Sequence, residues 1–425
     1  MSNKIGFWSV FAIVTGSQIG TGVFMSPAGL AQYGSFSLIG WLISGFGAIA
    51  LCLVFASLCS RFPETGGPHA YVNHVFGPTA AFFTGWSYWI ISWVSTTAVV
   101  VTAIGSLSPF LGDAPGSVYL TLEILLLFLI TLLNLKGVQA AGKAEFILIL
   151  MKFIPLIVIP LVALCYFDSS NFVISKPISL LPTSSILSQV TLLTLWGFIG
   201  LECATTPAGE VANPSKTVPK AIVTGTSCVA LLYLLNSIAI MGLIPGQELA
   251  NSKAPYVDAS RIIFGGNWHL LVSCIASIVC IGTLNAWMLA SGQVVLGLAQ
   301  DGLMPQIFAR KNRQGAPFFG ILTSCFGIIP LLILTTNTNF ASQINAIIDF
   351  SVTAFLFVYL ACCFAFLRLL SQGTKLSFFG LLYGLIATIF CSWIIYETPI
   401  KTLFIASAFV LSGIPVYFLW YKRQN

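Results

Sequence analysis

Gly16-Ser17-Gln18-Ile19-Gly20-Thr21-Gly22-Val23-Phe24 lies in the middle of an otherwise apolar stretch at 7–30. A helix in hydrocarbon must satisfy its backbone groups internally, and irregular backbone at that depth is tolerated only where it lines a cavity. A second interruption, Leu195-Trp196-Gly197-Phe198-Ile199-Gly200-Leu201-Glu202, falls inside another apolar stretch at 186–208. Either one alone fits glycines that let helices pack closely. Together they open two blocks of five apolar stretches, 7–166 and 186–369, at corresponding places. Paired, glycine-interrupted segments in two halves point to a transport site near the bilayer midplane.

The rest of the chain agrees. Of 425 residues, 57% are hydrophobic and 7% are charged. A water-soluble chain carries roughly a quarter of its residues as Asp, Glu, Lys and Arg. Stretches long enough to cross about 30 Å of hydrocarbon read at 7–30, 36–58, 79–108, 117–135, 144–166, 186–208, 219–243, 267–298, 317–336, 343–368, 376–396 and 402–421. The expected fold is an all-α integral membrane protein of about twelve spans, one transport domain over 1–425, with two additional helices at 376–421. The first span, with one Lys before it and no small-residue cleavage site after it, reads as a retained helix.

Lys and Arg in the loops set the orientation. With twelve spans, one side collects Lys4, Arg61, Lys136, Lys143, Lys216, Lys220, Arg310, Lys311, Arg313, Arg368, Lys375, Lys422 and Arg423. The other has Lys176, Lys253, Arg261 and Lys401. Both termini are therefore expected in the cytoplasm. The net charge of +6 reads as this asymmetry and not as nucleic-acid binding.

The eleven cysteines form no CxxC pair, and His69, His74 and His269 lie apart from them, so neither a metal site nor a disulfide framework is expected. No cofactor is expected. There is no GxxxxGK[ST] phosphate loop for ATP drive, and no HExxH, GxSxG or paired aspartates for an intramembrane enzyme.

The breaks carry chemistry of their own. A half-helix starting near Thr21 presents free N–H groups and a positive dipole end, which suit a carboxylate. Half-helices ending near Ile19 and Ile199 present carbonyls, which suit an ammonium. A ligand with both groups is an α-amino acid.

Three separated motifs carry a family resemblance. Gly20-Thr21-Gly22-Val23-Phe24, Phe62-Pro63-Glu64-Thr65-Gly66-Gly67-Pro68-His69-Ala70-Tyr71 and Ala208-Gly209-Glu210-Val211-Ala212-Asn213-Pro214 resemble the amino acid–polyamine–organocation transporters. Trp287-Met288-Leu289-Ala290-Ser291-Gly292-Gln293 and Asp301-Gly302-Leu303-Met304-Pro305 resemble its basic amino acid/polyamine antiporters most. The resemblance implies the five-plus-five inverted repeat of the leucine-transporter type, with spans one and six broken, and alternating access. It implies exchange of a basic amino acid for its decarboxylated amine, of the arginine/agmatine kind, and a homodimer in the cell inner membrane.

Carried over motif by motif, the resemblance implies a substrate site of Ser17, Gln18 and Thr21 beside Gly20 and Gly22, with Ile91, Ser92 and Thr96 near Tyr88. It adds Trp196, Ile199 and Trp287, and aligns Asp349 with a pocket position. An indole face attracts an ammonium or guanidinium. Ionisable groups inside spans default to functional readings because they are costly there. By position these are Glu123, Lys152, Glu202 and Asp349. The resemblance places Lys152 where sodium-coupled relatives bind their cation and links Glu202 to proton-dependent activation. Glu123 stays open between helix packing and the transport path. A proton-coupled, sodium-independent amino acid importer is the alternative that Lys152 favours.

Overall fold

The structure is a computed structural model describing residues 4–112, 114–252, 255–335, 340–372 and 378–420, with backbone alone at 21, 176, 177, 340–349 and 420. The side chains of Thr21, Lys176 and Asp349, and the whole of Lys253, Lys375, Lys422 and Arg423, lie outside the described residues.

Among the described residues, twelve helical stretches are long and apolar enough to cross a membrane. They are Phe7–Ala31, Phe36–Arg61, Pro78–Gly105, Gly116–Leu135, Val138–Tyr166, Thr183–Thr205, Pro214–Leu243, Trp268–Gln300, Phe318–Thr335, Phe350–Gln372, Phe378–Glu397 and Ile400–Leu419, numbered here as spans 1 to 12. No β-strand occurs among the described residues, only isolated bridges. Two boundaries differ from expectation in ways that matter. Span 5 begins at Val138, not 144, and span 7 begins at Pro214, not 219.

Span 1 consists of two helices, Phe7–Gln18 and Thr21–Ala31, separated at Ile19 and Gly20. The second interruption is longer than its sequence announced. Span 6 is α-helical over Thr183–Leu195 and then runs through 3-10 turns at Trp196–Phe198 and Cys203–Thr205, with a further turn at Ala208–Glu210 beyond it. It does not resume as an α-helix at Glu202, as a simple break would have it. Gly200 turns this segment at φ +106°, a conformation that side-chain-bearing residues rarely adopt.

The broadest helix-to-helix contacts join spans 2 and 7 and spans 3 and 8, and span 4 packs on span 9. Short helices, Pro68–Phe76 and Pro255–Phe264, occupy matching places between the second and third spans of each block. Burial sorts the spans by task. The apolar windows of spans 1, 3 and 6 are 76%, 78% and 72% buried, whereas that of span 12 is 11% buried. Spans 1, 3, 6, 8 and 10 therefore enclose the interior, and span 12 offers its apolar side to lipid or a partner.

The family-like motifs meet at one end of this interior. Gly66 N–H donates to Thr206 O at 2.9 Å, and His69 Nε2 lies 3.3 Å from Asp301 Oδ2. Ile5 N–H donates to Glu210 O, Ala212 N–H donates to Ile5 O, and Lys311 reaches Glu210 at 2.7 Å. Widely separated segments are thus pinned together across the end that carries the N-terminus.

Candidate functional site

Between the two interruptions lies a small cavity lined by Ser17, Gln18, Gly20, Gly22, Ser95, Val99, Trp196, Ile199, Thr283 and Trp287. Seven of the expected residues line it: Ser17, Gln18, Gly20, Gly22, Trp196, Ile199 and Trp287. The backbone approaches closely there. A Cβ on Gly22 would stand 3.0 Å from Trp196 Cδ1, and one on Gly20 2.8 Å from Thr283 Oγ1.

Each wall has an identifiable chemistry. The helix Thr21–Ala31 opens at Gly20 with no side-chain cap, so its first N–H groups face the break as a site for negative charge. Ser17 Oγ lies 2.9 Å from Gly200 O, and Trp287 Nε1 lies 3.3 Å from Ser17 O, which ties spans 1, 6 and 8 around the cavity. Tyr233 donates to Gln18 O at 2.7 Å.

The carbonyls of span 1 correct an expectation. Ile19 O is not left for a ligand's ammonium. Lys152 Nζ donates to Gly16 O at 2.8 Å, to Ile19 O at 2.9 Å and to Thr283 Oγ1 at 3.2 Å. Lys152 is fully buried, so leaving its ammonium without these acceptors would cost several kcal/mol. The chain thus supplies its own cation at the break in span 1.

Span 3 turns neighbours of the carried-over positions toward the cavity. Ser95 and Val99 line it, whereas Ile91, Ser92 and Thr96 do not. Ser92 Oγ turns back to Trp89 O at 2.7 Å and Thr96 Oγ1 to Ser92 O at 2.5 Å, so both hydroxyls serve their own helix. Ile91 is fully buried in the core. Thr283, on span 8, was not singled out in the sequence, and a hydroxyl a turn before Trp287 on the same helix was the available signal.

Tyr88 has a different task. Its hydroxyl donates to Glu202 Oε1 at 2.8 Å, and Tyr359 of span 10 donates to Glu202 Oε2. Tyr359 also lies 3.3 Å from Gly200 N. Glu202 is fully buried and pinned by two phenols at the turn that forms one cavity wall. A change in its protonation alters both contacts at once. Glu202→Gln keeps the size and cannot titrate, so its transport rate is expected to vary less with pH than that of the wild type. A wild-type pH profile in proteoliposomes would make the acid purely structural. Glu123 sits buried in span 4, and its Oε2 has no hydrogen-bond partner among the described residues. It lies outside the cavity lining.

Glu145 is a buried ionisable group that the sequence reading missed. It is fully buried on span 5, with Oε1 at 3.6 Å from Lys152 Nζ. Its Oε2 accepts from Asn285 Nδ2 at 2.7 Å, and Asn134 Nδ2 donates to Asn285 Oδ1 at 3.1 Å.

Twelve spans, two facing helix interruptions and a small cavity between them define a secondary transporter of the broken-helix type. The chain belongs to the amino acid permease family, whose profile matches residues 5–421. It is a multi-pass membrane transporter and not an enzyme. Among similar proteins, the cadaverine/lysine antiporter of Escherichia coli (strain K12) is 29% identical over 401 residues, 92% of this chain and 89% of that protein. The putrescine transporter PotE of Haemophilus influenzae (strain ATCC 51907 / DSM 11121 / KW20 / Rd) is 30% identical over 361 residues, 84% of this chain and 83% of that protein. PotE of Escherichia coli (strain K12) is 28% identical over 361 residues, covering 84% and 82%.

Proposed function

We propose that this chain is an antiporter that exchanges a basic amino acid for its decarboxylated amine across a cell inner membrane. The cavity between the two interruptions carries the proposal, because it combines an uncapped helix N-terminus with two indoles. The N-terminus suits the carboxylate of an amino acid, and the faces of Trp196 and Trp287 suit a cationic end. Relatives named for cadaverine, lysine and putrescine support substrates of this class. Lysine and cadaverine are the first pair to try. Arginine and agmatine are the second, since Ser17 is a short side chain for reaching a guanidinium. Asp349, Gln18, Thr21 and the span-3 residues Tyr88, Ile91, Ser92 and Thr96 belong to the proposed site or its immediate support, with Asp349 as partner for the distal ammonium.

The blocks 7–166 and 186–369 are the proposed repeats that rock about this site, with 376–421 appended. Both termini are proposed to be cytoplasmic, on the distribution of Lys and Arg. A homodimer through the little-buried span 12 is the proposed assembly.

Sodium-independent, proton-coupled import of an amino acid is the second reading, and the Lys152 ammonium at the break of span 1 favours it. Binding separates substrate classes first. Purified protein titrated with lysine, cadaverine, arginine, agmatine and alanine is expected to bind the cationic ligands and to leave alanine at least about tenfold weaker. Equal or tighter binding of alanine would overturn the basic-substrate reading.

A further inference from the structure

A fixed ammonium at the wall of a pocket is a liability for a carrier of cations. Lys152 is separated from the cavity by a single hydroxyl, because Thr283 lines the cavity and accepts from Lys152 Nζ at 3.2 Å. Gly20, the next lining residue, adjoins Ile19, whose carbonyl accepts from the same ammonium at 2.9 Å. In so dry a setting a unit charge is screened far less than in water. An uncompensated Lys152 would therefore repel an amine substrate in the cavity, and a dication more than a zwitterion carrying one excess charge.

Glu145 stands behind this ammonium. Both residues are fully buried, and their spacing of seven puts them on one face of the helix Val138–Ala163. The backbone around them is cut to fit. A Cβ on Gly16 would stand 1.9 Å from Glu145 Oε1, and one on Gly282 would stand 2.5 Å from Lys152 Cε and 3.1 Å from Glu145 Oε1. Glycines in spans 1 and 8 thus admit a carboxylate–ammonium pair where any side chain would exclude it. Only half of the carboxylate is committed. Oε2 accepts from Asn285 Nδ2, while Oε1 has no hydrogen-bond partner among the described residues and faces Nζ at 3.6 Å.

We infer that Glu145 is a specificity-determining residue, one that neutralises Lys152 at the cavity wall and so allows the pocket to accept cationic substrates. The inference rests on the proposed basic substrates. Glu145 touches no substrate itself and acts through the ammonium. Lys152 keeps its structural bonds to span 1 while the pair adds no net charge to the site. The substrate's own charge is then met by the indoles of Trp196 and Trp287, without opposition from Lys152.

The test is a charge-selectivity cycle on the purified full-length protein, with cadaverine and lysine as competing ligands. These differ by one unit of net positive charge. Glu145→Gln is expected to weaken cadaverine relative to lysine by about tenfold, and Glu145→Asp to keep the wild-type ratio. Lys152→Met leaves the carboxylate uncompensated and is expected to shift the ratio the other way, toward cadaverine. The double variant should return to the wild-type ratio, which a merely structural role does not predict. Should Glu145→Gln fail to fold, Lys152→Met against the double variant still reads the effect of the carboxylate alone. Unchanged ratios throughout, with wild type binding both ligands, would overturn this role for Glu145. Failure of wild type to bind either ligand would instead count against the basic-substrate reading.

Discussion

Gly200→Leu is expected to abolish transport while leaving a folded, monodisperse membrane protein. Gly200 holds φ +106°, and a Cβ there would stand 2.8 Å from Ser17 Oγ and 3.1 Å from Trp287 Cζ2. The substitution therefore strains the turn and pushes apart two cavity walls. Ser17 would lose its bond to Gly200 O, the tie between the interruptions of spans 1 and 6. A displacement of about 1 Å in a site that must fit its ligand costs on the order of 100-fold in rate. Gly22→Leu is the companion case, since its Cβ would press on Trp196 Cδ1 at 3.0 Å. Uptake of labelled lysine into proteoliposomes checks both, with gel filtration in detergent as the folding control. Wild-type rates in either variant would move the transport site away from the interruptions.

Lys152→Ala carries the second large effect, on turnover more than on binding. Three acceptors converge on the Lys152 ammonium, and Gly16 O and Ile19 O among them belong to span 1. Hydrogen bonds from a charged donor contribute about 1.5–3 kcal/mol each. They hold span 1 against spans 5 and 8 in this conformation, and alternating access requires that hold to be made and released in order. The maximal exchange rate of Lys152→Ala is expected to fall at least about tenfold, with a smaller change in the lysine dissociation constant. A loss confined to binding would place Lys152 in the substrate site instead.

Much of this architecture is legible in the sequence, for physical reasons. A span must be long and apolar, so composition alone locates most of the twelve. Gly16 to Gly22 and Trp196 to Gly200 stand out because hydrocarbon forbids such segments unless they line a cavity. Glu145 was hidden by its surroundings. Lys136 and Lys143 count as loop charges, so the span reads as opening at 144, one residue before Glu145, and the acid is not among the in-span groups singled out. The helix in fact starts at Val138, which buries Glu145 two turns below Lys152. That spacing was the signal. The reach of a lysine is equally invisible in a string of letters, and so Ile19 O reads as a ligand site until Lys152 is seen to occupy it. On span 3, motif transfer gives the helix that borders the cavity, and neighbours of the transferred positions line it. Ser92 and Thr96 spend their hydroxyls on their own backbone, and Ser95 and Val99 form the wall.

Counterflow tests the central claim most directly. Labelled lysine is added outside sodium-free proteoliposomes that are either empty or preloaded with unlabelled cadaverine. An antiporter whose own Lys152 occupies the break in span 1 predicts rapid, transient accumulation of label in the preloaded vesicles, little in the empty ones, and no change when sodium is added. Equal uptake into empty vesicles driven by an imposed proton gradient, or uptake that requires external sodium, would contradict it.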